Sequence, residues 1–308
     1  MVKYQKRRIK QHHEDRSMLD YRTETFLVVC EYMNYTKAAE ALNLTQPAIS
    51  GQIKYLENYY GVKLFVYENK KLSLTKQGEK LKRALQTVMH DELRLKRELA
   101  KQTPAKVYRI GATLSLGDAY LPKVLPNYLE QHKELEIDVT VANTESLLKK
   151  LDQGMLDLVL TEGYFAKDEY ENRLIREEEL GVFCGSDYEL GSVNGVEDLF
   201  GHRLICREKG SGTRAVFEHF LLEKGYGIED FSNKCEFTSL NLIKEMLVNN
   251  QGISVLYKCV VEDLLGKGLL TQILVPGLEL KHDFNAVWQK NSMYGYENEE
   301  FLARTLEK

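Results

Sequence analysis

Two segments of the chain carry hydroxyl, glycine and arginine residues in an arrangement that could bind a small anion. Residues 112–117 follow a predicted strand, and residues 206–214 lie between a predicted strand and a predicted helix. Ligands of α/β proteins bind where strand ends and helix N-termini meet, and arginine pairs well with carboxylate or phosphate. The residues that we expect to line such a site are Thr113, Leu114, Ser115, Thr161, Glu162, Arg207, Ser211, Thr213, Arg214 and Ser239.

An alternative interpretation of both segments is an ordinary strand-to-helix loop with capping residues. In that case Arg214 would brace its own loop against Glu208 instead of meeting a ligand. The arginines favour a small anion or an anionic metabolite as the ligand class, because a guanidinium group binds oxyanions in a two-pronged geometry.

Signatures of catalysis and of metal binding do not stand out in the sequence. The seven histidines lack metal-ligand spacing, no Gly-x-Ser-x-Gly motif occurs, and residues 210–213 lack the Gly-Lys-Ser/Thr ending of a nucleotide-binding loop. The five cysteines are scattered without a Cys-x-x-Cys pair, so we expect reduced thiols. The sequence therefore predicts a binding protein without metal or cofactor, and not an enzyme.

A second group of candidate residues lies on one face of a predicted helix that begins after Thr45. Ile49, Ile53 and Leu56 form the apolar stripe of this helix. The opposite face is small and polar, and it carries Pro47, Gly51, Lys54 and Asn58, with Ala48 and Ser50 beside them. A face of this kind can enter the major groove of DNA, which is about 12 Å wide.

Two predicted helices precede this one with very short turns. The first starts near Leu19, and Thr36 can cap the second, over residues 37–42. This is helix-turn-helix spacing, and an ordinary helical hairpin is the alternative. Residues 63–75 then predict two short strands around a polar turn, a wing from which Lys70 and Lys71 could reach phosphates.

A long helix is predicted from Thr75 to about residue 101, and residues 102–105 form a hinge. It carries a heptad seam with one charged interruption, made of Leu81, Leu85, Val88, Glu92, Leu95 and Leu99. This seam favours pairing of helices between subunits, and packing of the helix against its own domain is the alternative.

After the hinge, predicted strands alternate with predicted helices, which indicates βαβ units and parallel sheets. We expect two lobes around a cleft: the first over about residues 105–178 plus 282–308, and the second over about residues 179–281.

Composition agrees with a soluble protein that joins two kinds of domain. The 308 residues are 43% hydrophobic and 29% charged, without a membrane-spanning stretch or a secretory signal. Residues 1–103 carry a net charge of +8 and the remainder carries −12, for a total of −4. The basic first third is typical of a module that binds a polyanion, and residues 1–18 are expected to form a basic flexible arm.

Residues 35–50 resemble the helix-turn-helix of LysR-type transcriptional regulators. The similarity continues through Leu56-Glu57, Gly61-Val62, Leu64-Phe65, Leu74-Thr75 and Gly78, and the second candidate ligand segment resembles the Arg-Glu-x-Gly-Ser-Gly-Thr-Arg stretch of regulators of the CysL and CbbR types. The resemblance implies DNA contacts at Thr36, Gln46, Pro47, Ala48, Ser50 and Lys54. Two positions depart from the family pattern, since Gly51 and Tyr67 stand where the family usually has a side chain able to contact DNA.

The fold that this resemblance implies is an N-terminal all-α winged helix-turn-helix with a long linker helix, followed by an α/β two-lobed effector domain like a periplasmic binding protein. The expected domains are residues 1–18, 19–75, 76–103 and 104–308, respectively the arm, the DNA-binding domain, the linker or dimerisation helix and the effector domain. The expected protein is a cytoplasmic homodimer or homotetramer that binds promoter DNA under control of a small-molecule effector. The alternatives from other classes are a solute-binding protein with a helical appendage and an enzyme on the α/β scaffold.

Overall fold

The computed structural model describes residues 19–100 and 106–306. The predicted basic arm (1–18), the end of the predicted linker (101–103) and the hinge lie outside the described residues. The chain divides into two compact units: residues up to 100, together with 152–154 and 289–294, belong to the first, and the other described residues belong to the second.

The first unit opens with three helices: α1 (Tyr21–Tyr32), α2 (Tyr35–Leu42) and α3 (Gln46–Tyr60). Their apolar stripes form one core, in which Phe26, Val29, Ala38, Ile49 and Ile53 are all buried. The three helices and the apolar stripe of α3 agree with the prediction.

The cap of α2 differs from the predicted one. Asn34 caps this helix, since its Oδ1 accepts the amides of Thr36 at 2.9 Å and Lys37 at 3.0 Å. The helix therefore begins two residues earlier than predicted, and the side chain of Thr36 is left exposed on its first turn. Asparagine and threonine both cap helices well, and Asn34 has the extended backbone that a capping residue needs. The next cap is as predicted, with Thr45 Oγ1 accepting the amide of Ala48 at 3.4 Å.

The wing consists of the antiparallel strands β1 (Phe65–Glu68) and β2 (Lys71–Leu74). Asn69 and Lys70 join them as a two-residue turn, with positive φ angles of 49° and 61°. Positive φ at both central residues matches the right-handed twist of the strands, and asparagine tolerates it well.

The linker helix α4 spans Lys76–Ala100. Leu85 is buried in the core of the three helices, and Leu81 packs against the same core. The later residues of the predicted seam are exposed on the chain: Val88 by 46%, Leu95 by 41% and Leu99 by 77%. The seam is thus divided, because its first turns serve the first unit's own core.

The second unit is built from alternating strands and helices. Its elements are β3 (Lys106–Ala112), α5 (Leu114–Ala119), α6 (Leu121–Gln131), β4 (Leu135–Val141), α7 (Thr144–Asp152), β5 (Leu158–Thr161), β6 (Tyr170–Gly185), β7 (Arg203–Arg207), α8 (Gly212–Glu223), β8 (Asn233–Phe237), α9 (Leu240–Val248), β9 (Ile253–Tyr257), α10 (Lys258–Gly266), β10 (Leu270–Ile273), β11 (Leu280–Gln289) and α11 (Gly295–Leu306).

Hydrogen bonds link these strands in the order β4-β3-β5-β11-β6-β9-β7-β8, with β10 also on β6. Strands β4, β3 and β5 come from the predicted first lobe, and β9, β7 and β8 come from the second. The long strands β11 and β6 lie between the two groups, so a continuous ladder replaces the two separate sheets that we predicted. Strand β3 is parallel to β4 and β5, whereas β11 runs antiparallel to β5.

Three further details differ from the predictions. Strand β6 begins at Tyr170, and we did not predict its first half because that half is charged and partly exposed. The segment after β3 forms the short helix α5 instead of an open loop. Strand β10 was not predicted. In the described ranges, none of the helices has the length and apolar character needed to cross a membrane.

Candidate functional site

The outer face of α3 presents the side chains that the sequence singled out. Gln46, Pro47 and Lys54 are exposed, and Ala48 and Ser50 are half-buried. Gln46 Nε2 donates to Ser50 Oγ at 2.9 Å, one helical turn away. These side chains are available to a partner, because the core is served by the opposite face of the helix.

The candidate contacts outside α3 are also on the surface. Thr36 is exposed on the first turn of α2, and Lys70 and Lys71 are exposed on the wing. Tyr67, one of the two positions that depart from the family pattern, is 72% exposed on β1. The first unit thus offers two separate groups of solvent-exposed residues, one helical and one on a hairpin.

Gly51 leaves an open position in the middle of the polar face of α3. Apart from its chain neighbours and the surrounding helix backbone, a Cβ atom built on this residue would have no heavy atom of the described chain within 4 Å. Beside it, the guanidinium carbon of Arg22 lies 3.7 Å from the centre of the Tyr55 ring, one turn further along α3. Sequence analysis did not single out this stacked pair. The signal for it was spacing: Tyr55 is four residues after Gly51 and so lies on the same face of α3.

A buried carboxylate occupies the centre of the second candidate site. Glu162 follows β5 and is 1% exposed. Its carboxylate accepts hydrogen bonds from the hydroxyls of Thr113 and Ser115, the latter at 3.1 Å. The hydroxyls of Thr113 and Ser115, which we predicted to contact a ligand, thus donate to an acidic side chain of the protein itself.

Segments from both predicted lobes meet around this carboxylate. Ser115 Oγ lies 3.4 Å from Thr213 Oγ1, at the start of α8. A Cβ on Gly212 would lie 3.1 Å from Glu162 Cγ and 3.1 Å from Gly163 Cα, so a side chain there would need its neighbours to move. Glycine at the first position of α8 is thus what allows the two segments to approach so closely.

The two arginines of the second segment have different partners. Arg207, which is 4% exposed, makes a two-pronged pair with Glu208, with both N–O distances at 2.9 Å. Arg214 donates to Glu218 at 2.7 Å, to the Arg207 carbonyl at 3.1 Å and to Glu236. Arg214 does brace its loop, as in the alternative interpretation. Its acidic partners, however, are Glu218 and Glu236 instead of Glu208.

Some buried polar atoms in the same region have no hydrogen-bond partner among the described residues. They include Nη1 of Arg207, Oγ of Ser211 and the hydroxyl of Tyr257, whose side chains are at most 4% exposed. Burial, together with nearby Glu162, raises the pKa of Tyr257, so its phenol stays protonated. Tyr257 was missed by sequence analysis, although it ends a strand next to a helix as the predicted residues do.

The remaining predicted ligand residues have local roles. Thr161 Oγ1 lies 2.8 Å from Thr144 Oγ1 and accepts the amide of Gly163 at 2.9 Å, which fixes the turn that carries Glu162. Ser239 is exposed and caps α9 by accepting the amide of Leu242 at 3.3 Å. Leu114 is half-buried on the first turn of α5.

The second site is tightly packed. A cavity of about 10 Å³, enough for about one water molecule, lies beside it and is lined in part by Arg207, Thr213 and Arg214. Within residues 19–100 and 106–306, no group of three or more histidine, cysteine or acidic side chains could hold a metal ion. The cysteines are free thiols, and burial raises the pKa of Cys30 and of Cys259 to about 12.

Comparisons with known proteins found a matching family model for each of the two units. Residues 22–79 match the family model for the bacterial regulatory helix-turn-helix protein of the lysR family, and residues 101–307 match the model for the LysR substrate binding domain. The transcriptional regulator CysL of Bacillus subtilis is 31% identical over 258 residues, which are 79% of this chain and 82% of CysL.

Two solved structures share the fold. Full-length OxyR of Pseudomonas aeruginosa has a TM-score of 0.58 at 20% identity, over 95% of each chain. The regulatory domain of CcmR from Synechocystis PCC6803, in complex with 2-PG, has a TM-score of 0.57 at 19% identity and covers 65% of this chain and 97% of that domain. The match of both family models and the likeness to CysL together show that the chain belongs to the LysR family of transcriptional regulators, so that it is a DNA-binding regulator with a small-molecule-binding domain and not an enzyme.

Proposed function

We propose that α3 enters the major groove of promoter DNA and that the exposed residues of the first unit make the contacts. The proposed contacts are Thr36, Gln46, Pro47, Ala48, Ser50, Lys54, Lys70 and Lys71. The observation that carries the proposal is the polar outer face of α3, whose opposite face is fully used by the core.

The chemistry of these side chains divides them into two roles. The amide of Gln46 can pair in two-pronged fashion with adenine, the hydroxyl of Ser50 can bond to several base edges, and Pro47 can touch a thymine methyl group. The bond between Gln46 and Ser50 holds both side chains over the same turn before DNA arrives. Lys54 and the wing lysines supply positive charge for phosphates.

Selection from a random duplex pool, followed by titration at several salt concentrations, tests this proposal. We expect the selected duplex to bind more tightly than a scrambled one, with an affinity that falls as salt rises. Lys54→Ala should weaken binding to both duplexes, and Lys267→Ala, which removes an exposed lysine of the second unit, should not. Equal binding of selected and scrambled duplexes at every salt concentration would refute the proposal.

We further propose that the second unit binds a small anionic effector in the region around Glu162. Nη1 of Arg207 supports this, because a buried guanidinium nitrogen without a partner in the described chain is a strong donor left unused. Ser211, Thr213, Thr113 and Ser115 add hydroxyls nearby. Leu114, Thr161, Arg214 and Ser239 shape or brace the site, and the 2-PG complex of CcmR is a precedent for a small-molecule ligand on this fold.

Thermal unfolding of the full chain with a panel of small anions tests the effector proposal. A ligand at about 100 times its dissociation constant adds about 2.7 kcal/mol of stability. Thr213→Val should abolish the shift of melting temperature, and Thr271→Val, at an exposed position on β10, should preserve it. A shift that survives Thr213→Val would place the ligand elsewhere.

The oligomeric state is the third part of the proposal. Val88, Leu95 and Leu99 lie on one side of α4 at heptad spacing and are exposed on the single chain, so we propose that α4 pairs with α4 of a second copy in a homodimer or homotetramer. Leu95→Asp should reduce the mass measured by sedimentation. Leu274→Asp, at a leucine that is 81% exposed in the second unit, should leave the mass unchanged.

We also propose that the protein works in the cytoplasm and that the predicted domain limits hold. Basic residues 1–18 would form the arm, residues 19–75 the DNA-binding domain, residues 76–103 the linker and residues 104–308 the effector domain. Limited proteolysis should cut first near residues 101–105, and initial cuts inside β6 or β11 would contradict these limits.

A further inference from the structure

The carboxylate of Glu162 stands where an anionic effector would have to bind. Thr113 and Ser115 already donate their hydroxyls to it, and the first residue of α8 packs directly on it. An effector of the same charge sign therefore meets a carboxylate inside its own site. The question of how the site accepts this second negative charge arises only if the proposed effector function holds, and the inference rests on that function.

In the described part of the chain, the polar and charged groups with the largest effect on Glu162 come from three places in the fold, and α8 packs against it with Gly212. The segment from the end of β3 into α5 contributes the two hydroxyls, the last residue of β7 is the cation Arg207, and the end of β9 contributes Tyr257. Burial has the largest effect and raises the pKa of Glu162. The hydroxyls of Thr113 and Ser115 and the charge of Arg207 act on this pKa in the opposite direction.

Unused donors in the same region show where a second anion can be accommodated. Arg207 spends Nε and Nη2 on Glu208, and its Nη1 has no partner in the described chain. Ser211 Oγ and the Tyr257 hydroxyl are also buried without a hydrogen-bond partner in the described chain. Arg207 and Tyr257 are close enough to Glu162 to interact with it electrostatically, and Ser211 directly precedes Gly212, which packs on Glu162. Three unused donors around one acceptor that is already satisfied are suited to binding one further anion.

We propose that the site binds an oxyanion or a carboxylate together with one proton, which Glu162 takes up from solvent. The proton adds to one carboxylate oxygen, so the site gains the ligand's charge and loses its own. The resulting carboxylic acid still accepts from Thr113 and Ser115, and its new O–H can donate to the ligand. Ionised Glu162 thus keeps anions out, and protonation admits them.

Calorimetry on the wild-type full chain tests the proposal directly. The probes are sulfate, oxalate and glycolate, whose charges stay constant from about pH 6 to about pH 9. Titration in two buffers of different ionisation enthalpy counts the protons that are taken up. We expect uptake approaching one proton for each anion bound at the higher pH, and an affinity that falls by up to about tenfold per pH unit.

Two matched variants separate Glu162 from other acidic groups. Glu162→Gln keeps the shape and the acceptor oxygen but cannot ionise. We expect it to bind the anions without proton uptake, with no pH dependence and more tightly than wild type at high pH. Glu189→Gln removes the same charge from an exposed position of the second unit and should behave as wild type.

Three outcomes would overturn the inference. They are binding by wild type without proton uptake, weaker binding by Glu162→Gln at every pH, and no binding of any probe by either protein. If Glu162→Gln does not fold, proton counting on wild type decides alone. DNA titration of the same preparations keeps the failures apart: selective DNA binding without proton uptake leaves the proposed regulator intact and removes only this inference.

Discussion

The two candidate sites differ in how far their residues are committed to the fold. On the first unit, Gln46 and Lys54 are exposed and could be changed without touching the core. Around Glu162, the side chains of Thr113, Ser115 and Thr213 are buried: the first two donate to the Glu162 carboxylate, and Ser115 also contacts Thr213. A rigid helix can display a recognition surface at no structural cost, whereas a site between two segments must be built from groups that also hold those segments together.

This difference predicts where binding and stability can be separated by substitution. Changes on the outer face of α3 should alter DNA binding at constant stability. Changes around Glu162 should alter both together, unless the new side chain keeps the old shape.

The largest effect is expected from Arg214→Ala. The substitution removes donors to Glu218, Glu236 and the Arg207 carbonyl, and it should lower the free energy of unfolding by about 2–3 kcal/mol. Lys54→Ala should change it by less than about 0.5 kcal/mol. Urea unfolding followed by far-UV circular dichroism and by the emission of Trp288, the single tryptophan, measures both. Equal losses would erase the contrast between the two sites.

Gln46→Ala should have the next largest effect, and only on DNA selectivity. Losing a two-pronged contact with one base pair should cost about 1–3 kcal/mol of discrimination at that position. Competition between the selected duplex and its single-base variants measures this cost, with Gln251→Ala in the second unit as the control. Uniform weakening on all duplexes would instead mean that Gln46 contacts the DNA backbone.

Glu162→Gln should change the pH dependence of stability in the absence of ligand. Burial raises the pKa of Glu162, so the folded protein binds this proton more tightly than the unfolded chain does. Wild type therefore loses stability as pH rises from the unfolded value, about 4.3, through the raised folded value. The variant lacks this loss, so thermal melts should diverge in its favour as pH increases. Parallel curves would show that the folded protein holds Glu162 as an ordinary carboxyl group.

The smallest effect is expected at Gly51. A methyl group there meets open space, and alanine favours a helix, so Gly51→Ala should add about 0.5–1 kcal/mol to the stability of the first unit. The same substitution at Gly78 should destabilise it, because a Cβ would collide with the Leu64 carbonyl oxygen. Gly51→Arg should raise the salt dependence of DNA binding by about one phosphate contact. Thermal melts and salt titrations separate the two effects.

Local patterns predicted much of the first unit. The apolar spacing of α3 and the strand pair around Asn69 and Lys70 depend on residues close in sequence, and the structure confirms both. The predicted cap of α2 was wrong because Asn34 and Thr36 have equally suitable side chains. Only the backbone conformation, which is extended at Asn34, decides between them.

The interior of the second site was beyond local patterns. Glu162 was predicted to face a ligand, but its bonds to Thr113 and Ser115 span 49 and 47 residues, and the approach of Ser115 to Thr213 spans 98. No periodicity encodes such pairings. The first half of β6 was missed for another reason: a run of acidic and basic residues is typical of solvated chain, although it pairs as a strand.

The position of β11 has a consequence for synthesis of the chain on the ribosome. Strand β5 ends at Thr161, and its antiparallel neighbour begins only at Leu280, about 120 residues later. At ordinary translation rates this delay is about 10 s, during which one edge of β5 has no native neighbour. An unpaired strand edge invites pairing with other chains, so this delay exposes nascent copies to misassembly, and slower translation would lengthen that exposure.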